Sequence, residues 1–378
     1  MAIKTIESRV DIVEAARRRI SNVFSNGVRV YMSFSAGKDS LCMSHLDYEK
    51  ILNGEIDPKL LTVIFIDEEA LYDSMEQMAL RWRKRFIAAG AEFRWYCLPV
   101  RQVSILHQLQ NDEAWITWEP GKQWVRDAPP FAITRDPRLR YTGQMNYQTF
   151  CSAITKDGIQ MVGVRACESV QRRDYLANAA LRAGGLSKEN KVFPIYDWKD
   201  SDVWLYIKER GREFPEIYMR LYEAGVRKNH LRLCAFFGDC STQGLRWVAE
   251  TDNDLWQRIE KREPNAYLVL LYWDSEMFRR STHQRRKLES AAEQKNYCAL
   301  CKDILFLNTE KYTIASDTKK RLGNWRSLFL KTYGVATERH YKRMYEGLLY
   351  GDPKSRMLRI LWTMIYTDYN TKTKEPKQ

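Results

Sequence analysis

No stretch of this 378-residue sequence is apolar for long enough to cross a bilayer. The longest runs, such as Ala266–Trp273, fall far short of the roughly 20 residues a spanning helix needs. The amino terminus, MAIKTIESRVDIVEAARRRI, is charged and amphipathic and has no apolar core of the signal-peptide kind. Both absences argue against a membrane partner and lead to the expectation of a soluble, cytoplasmic protein. Internal repeats are also missing, which excludes solenoid and propeller arrays. Cysteine is not scarce, at eight residues. In a cytoplasmic chain these are expected as reduced thiols or metal ligands rather than disulfides.

What is present is enough apolar residue, 44% of the chain, to build two domains with real cores. The formal charge is +13, and it is unevenly placed. From Arg279 to the end there are 22 Lys plus Arg against 10 Asp plus Glu. A solvated helical surface accounts for part of that excess, but so lopsided a distribution favours a polyanion partner, with nucleic acid the first candidate.

Hydrophobic patterning predicts an α/β domain over residues 1–215. Ile6–Phe24 reads as an amphipathic helix, and Val28–Ser40, VRVYMSFSAGKDS, as a buried strand, a turn of small residues and the start of a helix. Leu60–Ile66 is a fully apolar strand that delivers Asp67-Glu68-Glu69 at its carboxyl end. Ser74–Ala89 reads as a helix closed by Gly90, and Phe93–Val100 as a third strand. Such alternation implies a doubly wound parallel sheet. Between 101 and 157 the pattern lapses into an irregular, Trp-rich insertion, either a substrate lid or a packing flap. Ile159–Val164 resumes as a strand, and Ser201 is a candidate N-cap for the helix through Ile207. Residues 216–378 read as a basic, mostly helical second domain, broken at Gly351-Asp352-Pro353 and frayed from Thr371.

The turn after the first strand carries the chemistry. A strand, a tight turn and a helix aim several amide N–H groups and the helix dipole at one point, which makes an anion site. It is not a Walker A loop, because Met32 and Asp39 stand where that motif needs Gly and Ser or Thr. Ser35-Ala36-Gly37-Lys38-Asp39-Ser40 instead resembles the S-x-G-x-D-S pyrophosphate loop of the ATP pyrophosphatase superfamily. Those proteins commonly read SGGKDS, so Ala36 departs at the second position. A negative φ there would accommodate alanine, whereas a left-handed backbone would strain it. Two further segments agree. Val162–Ser169, with Arg172, resembles the Arg-bearing strand end of the phosphoadenosine phosphosulfate (PAPS) reductase branch. Phe193–Ile207 resembles its P-[IL]-x-x-W-x-x-x-D-V-W-x-Y-I signature. The helical remainder is similar to phage- and plasmid-borne relatives of the immunoglobulin-binding regulator type.

The resemblance implies an adenine nucleotide alpha hydrolase-like fold that binds ATP with Mg²⁺. It implies cleavage between the α and β phosphates to activate a second substrate, in sulfur transfer or nucleic-acid modification. Lys38, Asp39 and Arg165 are the implied catalytic residues. Ser33, Ser35, Ala36, Gly37, Ser40, Asp67, Gly163, Glu168 and Arg172 complete the nucleotide site. Asp39 or Asp67 would help to hold Mg²⁺, and Arg165 and Glu168 could equally form only a salt bridge. A rival reading is a nucleotide-sensing regulator that acts with a ParB-like partner. A weaker one is a PAPS reductase that uses external thiols, because the tail TKTKEPKQ lacks the nucleophilic cysteine of the assimilatory enzymes. Cys298-Ala-Leu-Cys301, with Cys234, Cys240 and His230 upstream, could hold Zn²⁺ or an Fe–S cluster. Ordinary buried or exposed thiols remain the alternative.

Overall fold

Val30, Tyr31, Met32 and Phe34 are all buried, so the first strand is covered on both faces, as a central parallel strand must be. The computed structural model describes residues 11–104, 106, 114–141, 143, 145–169, 172–176, 187, 190–227, 231–233, 235–238, 242–272, 296–311, 321–350 and 355–374. In it the strands run β1 (Val30–Phe34), β2 (Leu61–Ile66), β3 (Glu92–Tyr96), β4 (Arg101–Val103), β5 (Ala114–Ile116), β6 (Ile159–Val162) and β7 (Lys191–Val192). The main sheet is entirely parallel, in the order β3-β2-β1-β6-β7. Val30 is level with Leu61 on one side and Ile159 on the other. Gly158 permits that second pairing. A Cβ there would stand 2.3 Å from the Arg29 carbonyl oxygen, which accepts the Ile159 N–H at 2.9 Å.

The crossovers are α2 (Lys38–Leu52) between β1 and β2 and α3 (Asp73–Ala88) between β2 and β3. α1 (Ile12–Phe24) precedes the sheet, with Asp11 accepting the N–H groups of Val13 and Glu14. The chain leaves β1 toward β2, while β6 joins from the other side. The loops after β1 and β6 therefore diverge at a topological switch point, where open α/β sheets carry their ligand crevice.

Several expectations change. The insertion is not irregular throughout: α4 (Tyr147–Ile154), capped by Asn146, sends Phe150 and Ile154 into a core with Tyr31, Tyr96 and Leu98. Ser201 is not an N-cap, because α5 (Asp200–Glu209) starts one residue earlier, after Lys199, whose N–H donates to Asp202 at 2.7 Å. Residues 6–10 of the expected first helix lie outside the described residues.

The described residues fall into two compact units, one within 1–102, 116–236 and 244–264, the other within 103–115, 237–243 and 265–378. The first unit thus runs well past residue 215. It keeps α6 (Ile217–Glu223), most of α7 (Thr242–Thr251) and α8 (Asn253–Arg262); Tyr218 of α6 and Arg258 and Arg262 of α8 bond to the sheet's loops and helices. The second unit holds α9 (Asn265–Tyr272), α10 (Tyr297–Lys302), α11 (Leu322–Thr332), α12 (Glu338–Tyr350) and α13 (Arg356–Lys374). Trp325, Phe329, Met344, Leu348 and Leu361 are central to its core. A Cβ at Gly347 would come within 2.7 Å of the Trp325 ring, so a glycine is needed for α12 to approach α11. α13 continues to Lys374, beyond the expected fraying point. Among the described residues no helix is long and apolar enough to cross a membrane.

α2 is buried nearly all round, including the ionisable Asp47, whose two carboxyl oxygens lack a hydrogen-bond partner among the described residues. Burial pushes the Asp47 carboxyl well above its ordinary range, with Lys50 opposing only in part. The folded chain then holds this proton to higher pH than the unfolded chain, so the contribution of Asp47 to stability falls as pH rises above about 4. Asp47→Asn should match the wild type at pH 4 and melt higher at pH 8. Each tenfold difference in acidity is worth about 1.4 kcal/mol, or about 3–6 °C in a unit of this size. A wild-type advantage that grows with pH in thermal melts would refute this.

Candidate functional site

The loop after β1 is braced by its own serines. The Ser35 N–H donates to Ser40 Oγ at 3.2 Å, Ser40 Oγ donates to the Gly37 carbonyl at 3.0 Å, and the two hydroxyl oxygens are 3.1 Å apart. Ala36, fully buried between them, has φ +56°. The position is left-handed, so an alanine here carries about 1–2 kcal/mol of strain that glycine would avoid. Ser33 lies earlier, within β1, where its hydroxyl accepts from Gln160 at 3.0 Å.

Lys38 and Arg165 meet at the switch point, the first opening α2 and the second following β6. Both are buried, at 3% and 0% exposure. The Lys38 amine donates to the Leu231 carbonyl at 3.1 Å and lies 3.6 Å from Asp39 and 3.9 Å from Asp200. Arg165 Nε is 2.8 Å from Asp39 Oδ1, close enough for an ion pair but misaligned for a hydrogen bond. Its Nη2 donates to Asp200 at 2.8 Å and its Nη1 contacts Cys167 Sγ at 3.2 Å. Burial disfavours the guanidinium, but Asp39 and Asp200 outweigh it and hold the Arg165 pKa above its usual value.

Glu168 orients this loop. Its Oε2 accepts the Arg165 N–H at 3.3 Å and pairs with Arg172, while its Oε1 lies 4.0 Å from the Arg165 guanidinium. A Cβ on Gly163 would meet Asp39 and Met43 only at an ordinary 3.5 Å, so space alone does not require glycine there. Sequence reasoning missed Asp200, although it lies inside the Phe193–Ile207 segment, and it missed Tyr218. The Tyr218 hydroxyl accepts the Lys38 N–H at 3.1 Å from a helix 180 residues away in sequence. No local pattern announces either partner.

The acidic run after β2 is not a solvated charge cluster. Asp67, 1% exposed, accepts from Trp95 Nε1 at 2.8 Å and the Glu69 N–H at 3.0 Å and pairs with Arg126. Glu69, fully buried, accepts the N–H groups of Trp118 and Val125 at 2.7 and 3.1 Å and Arg262 at 2.8 Å. Glu68 takes the Tyr147 hydroxyl at 2.5 Å, and burial raises its pKa. These carboxylates fasten the insertion to the sheet's carboxyl end. Asp67 is therefore committed to structural partners. Asp39, with a buried Oδ1 that lacks a hydrogen bond, has the better donor for Mg²⁺, which binds through one or two carboxylates plus phosphate oxygens. Among the described residues no group of three or more His, Cys, Asp or Glu is gathered as a metal site. Cys301 is a core residue whose thiol donates to the Tyr341 carbonyl at 3.3 Å, and burial pushes it up, away from the thiolate a metal needs. Cys298 is one turn before it on α10, while Cys234, Cys240 and His230 lie outside the described residues.

A parallel sheet whose β1 loop and β6 loop bring a lysine, an arginine and carboxylates together at the switch point defines an open α/β protein. Residues 29–228 match the phosphoadenosine phosphosulfate reductase domain, and the chain belongs to that family. Over 276 residues it is 32% identical to the uncharacterized protein YbdN of Escherichia coli (strain K12), a match that spans 68% of this chain and 66% of that protein. Among solved structures it is similar to the U34-tRNA thiolase NcsA from Methanococcus maripaludis with its 4Fe-4S cluster. That likeness covers 75% of this chain and 80% of the other at 14% identity, with a TM-score of 0.31. It is too distant to bear on fold or chemistry.

Among the described residues Asp200 is the one carboxylate that reaches both buried cations from outside the loop. Because it is 32% exposed, Asp200→Ala should cost only about 1–3 kcal/mol in urea unfolding, less than a fully buried pair. Millimolar pyrophosphate should restore part of that loss by standing in for the missing carboxylate. A full-stability variant, or one indifferent to pyrophosphate, would count against an anion site here.

Proposed function

We propose that the chain binds ATP or a related adenine nucleotide with its phosphates at Ser35–Ser40, and cleaves between the α and β phosphates to activate a second substrate. The reading rests on one observation: Lys38 from one strand end and Arg165 from its neighbour both lie within about 4 Å of the Asp39 carboxylate at the switch point, at 3.6 and 2.8 Å. In such a step an acceptor oxygen attacks the α-phosphorus and the bridging α–β bond breaks. Pyrophosphate leaves with the electron pair. Lys38 and Arg165 are placed to neutralise that leaving charge and the α-phosphate, and the loop amides supply further donors. Mg²⁺, when bound through Asp39 and the phosphates, would add cationic charge to the same group.

The family's name points to sulfur chemistry on an adenine nucleotide, and the basic C-terminal region supports nucleic acid as the second substrate. On α13, Trp362, Tyr366 and Tyr369 are exposed at spacings that share one face, a surface suited to base stacking. One observation favours the regulator reading, with a ParB-like partner among its candidates. The Lys38 amide and amine are already taken by Tyr218 and Leu231, as in a loop that closes without ligand.

Pyrophosphate release from ATP, with and without DNA, separates the two. Lys38→Ala and Asp39→Ala should each lower it by about 100-fold or more, and unchanged turnover in both would refute the catalytic reading. ATP binding by calorimetry with no release under any condition would favour the regulator. Tyr218→Phe removes the competitor for the Lys38 amide, so ATP should bind a few-fold tighter, about 0.5–1.5 kcal/mol. Weaker binding would show that the hydroxyl touches the ligand instead.

A further inference from the structure

Away from the Lys38–Arg165 cluster, the first unit has a second concave site, a pocket of about 600 Å³ lined by Lys122, Trp124, Arg126, Asp127, Arg258 and Lys261. It opens between the insertion and α8. Arg126 pairs with Asp67, the first residue past β2, so the pocket sits on the carboxyl rim of the sheet, the rim that also carries the loop after β1.

The four cations are not equivalent. Arg126 is held by Asp67 and Glu76, and Arg258 by Asp73 and Asp254, so the charge of both is already balanced. Their Nε atoms are nonetheless buried without an acceptor among the described residues, a deficit that a small rotation toward a ligand oxygen would relieve. Lys122 and Lys261 are exposed and make no ion pair among the described residues, and with the exposed Asp127 carboxylate in the same lining they still leave the pocket with positive charge in excess. Trp124 supplies a rigid aromatic wall. It is 36% exposed, its Nε1 donates to the Glu119 carbonyl at 2.9 Å, and its ring stands edge-on to Trp118 at 5.2 Å.

Two free ammonium groups, two arginines and a fixed, half-open indole, in a volume that suits a small ligand, match a phosphate on one side and a flat ring on the other. We infer that this pocket binds a nucleotide unit, its base against Trp124 and its phosphate between Lys122 and Lys261. The ligand chemistry is the same in a free mononucleotide and in one residue of a single strand. It does not depend on turnover at Lys38.

The test uses the full chain, a short fluorescein-labelled single-stranded oligonucleotide read by anisotropy over a range of salt, and AMP read by calorimetry. Lys122→Glu with Lys261→Glu should weaken the oligonucleotide at least about 10-fold and flatten the slope of log K against log salt by about 0.7, for the one phosphate no longer neutralised. Trp124→Ala should weaken it about 5-fold or more by removing the stacking surface. Loss confined to the oligonucleotide identifies a strand as the source, and loss confined to AMP identifies a free nucleotide. Both support the pocket. If both variants keep wild-type affinity and salt slope, the ligand lands elsewhere, for instance on the basic C-terminal region, and the inference is overturned. It is equally overturned if neither probe binds the wild type. Lys38→Ala, which removes only the loop's lysine, should leave oligonucleotide binding unchanged, so failure at one site is not mistaken for failure at the other. The exposed lysines make misfolding a minor risk, and matched thermal melts confirm it.

Discussion

Arg165 has no exposed surface, so its charge exists in the folded chain only because Asp39 and Asp200 stand beside it. Removing water from a guanidinium is expensive, and only close carboxylates repay it. Those carboxylates come from different elements, one from the first turn of α2 and one from the first turn of α5. The buried cluster therefore ties the β1 side of the sheet to the β6 side across the point where the connections part. With Lys38 it counts two cations and two anions, electrically closed as it stands. An arriving polyphosphate would make it strongly anionic unless a carboxylate withdraws or a divalent cation enters with the ligand. Asp200, partly exposed and at the end of a helix, is the carboxylate freest to move.

The local parts of this arrangement were legible in the sequence. The strand, turn and helix of Val28–Ser40 are contiguous, and the apolar run before Asp67 marks a central strand whatever lies far off in the chain. β2 and α3 fall within a residue of their expected bounds. Short-range chemistry also set the question that the structure answers at Ala36, which does adopt the left-handed backbone. A loop that tolerates strained alanine in place of glycine is over-determined by its surroundings, here the Ser35–Ser40 brace and complete burial.

What could not be read were partnerships between distant residues. Tyr218 and Leu231 close on Lys38 from beyond residue 215, and that is why the first unit does not end where the strand-and-helix alternation ends. The acidic triplet misleads for the same reason. Asp67 reads as a nucleotide or Mg²⁺ ligand at a strand end until Trp95 and Arg126 are folded onto it, and Glu68 and Glu69 are likewise taken by Tyr147, Trp118 and Arg262. α4 escaped notice because Gly, Pro and Trp around it mask a helix of two turns.

The rim of the sheet thus presents positive charge in two physical states. At the switch point the cations are buried and neutralised, so binding there must exchange one set of anions for another, and affinity depends on how readily Asp39 and Asp200 yield. At the insertion pocket Lys122 and Lys261 are hydrated and unpaired among the described residues, so an anion has only the Asp127 carboxylate to oppose it and attraction is long-ranged but screened by salt. The first arrangement suits discrimination and chemistry on one phosphate chain. The second suits capture. A protein that acts on a large polyanion has use for both, and the Arg126–Asp67 pair holds the pocket to the same rim, one residue past β2.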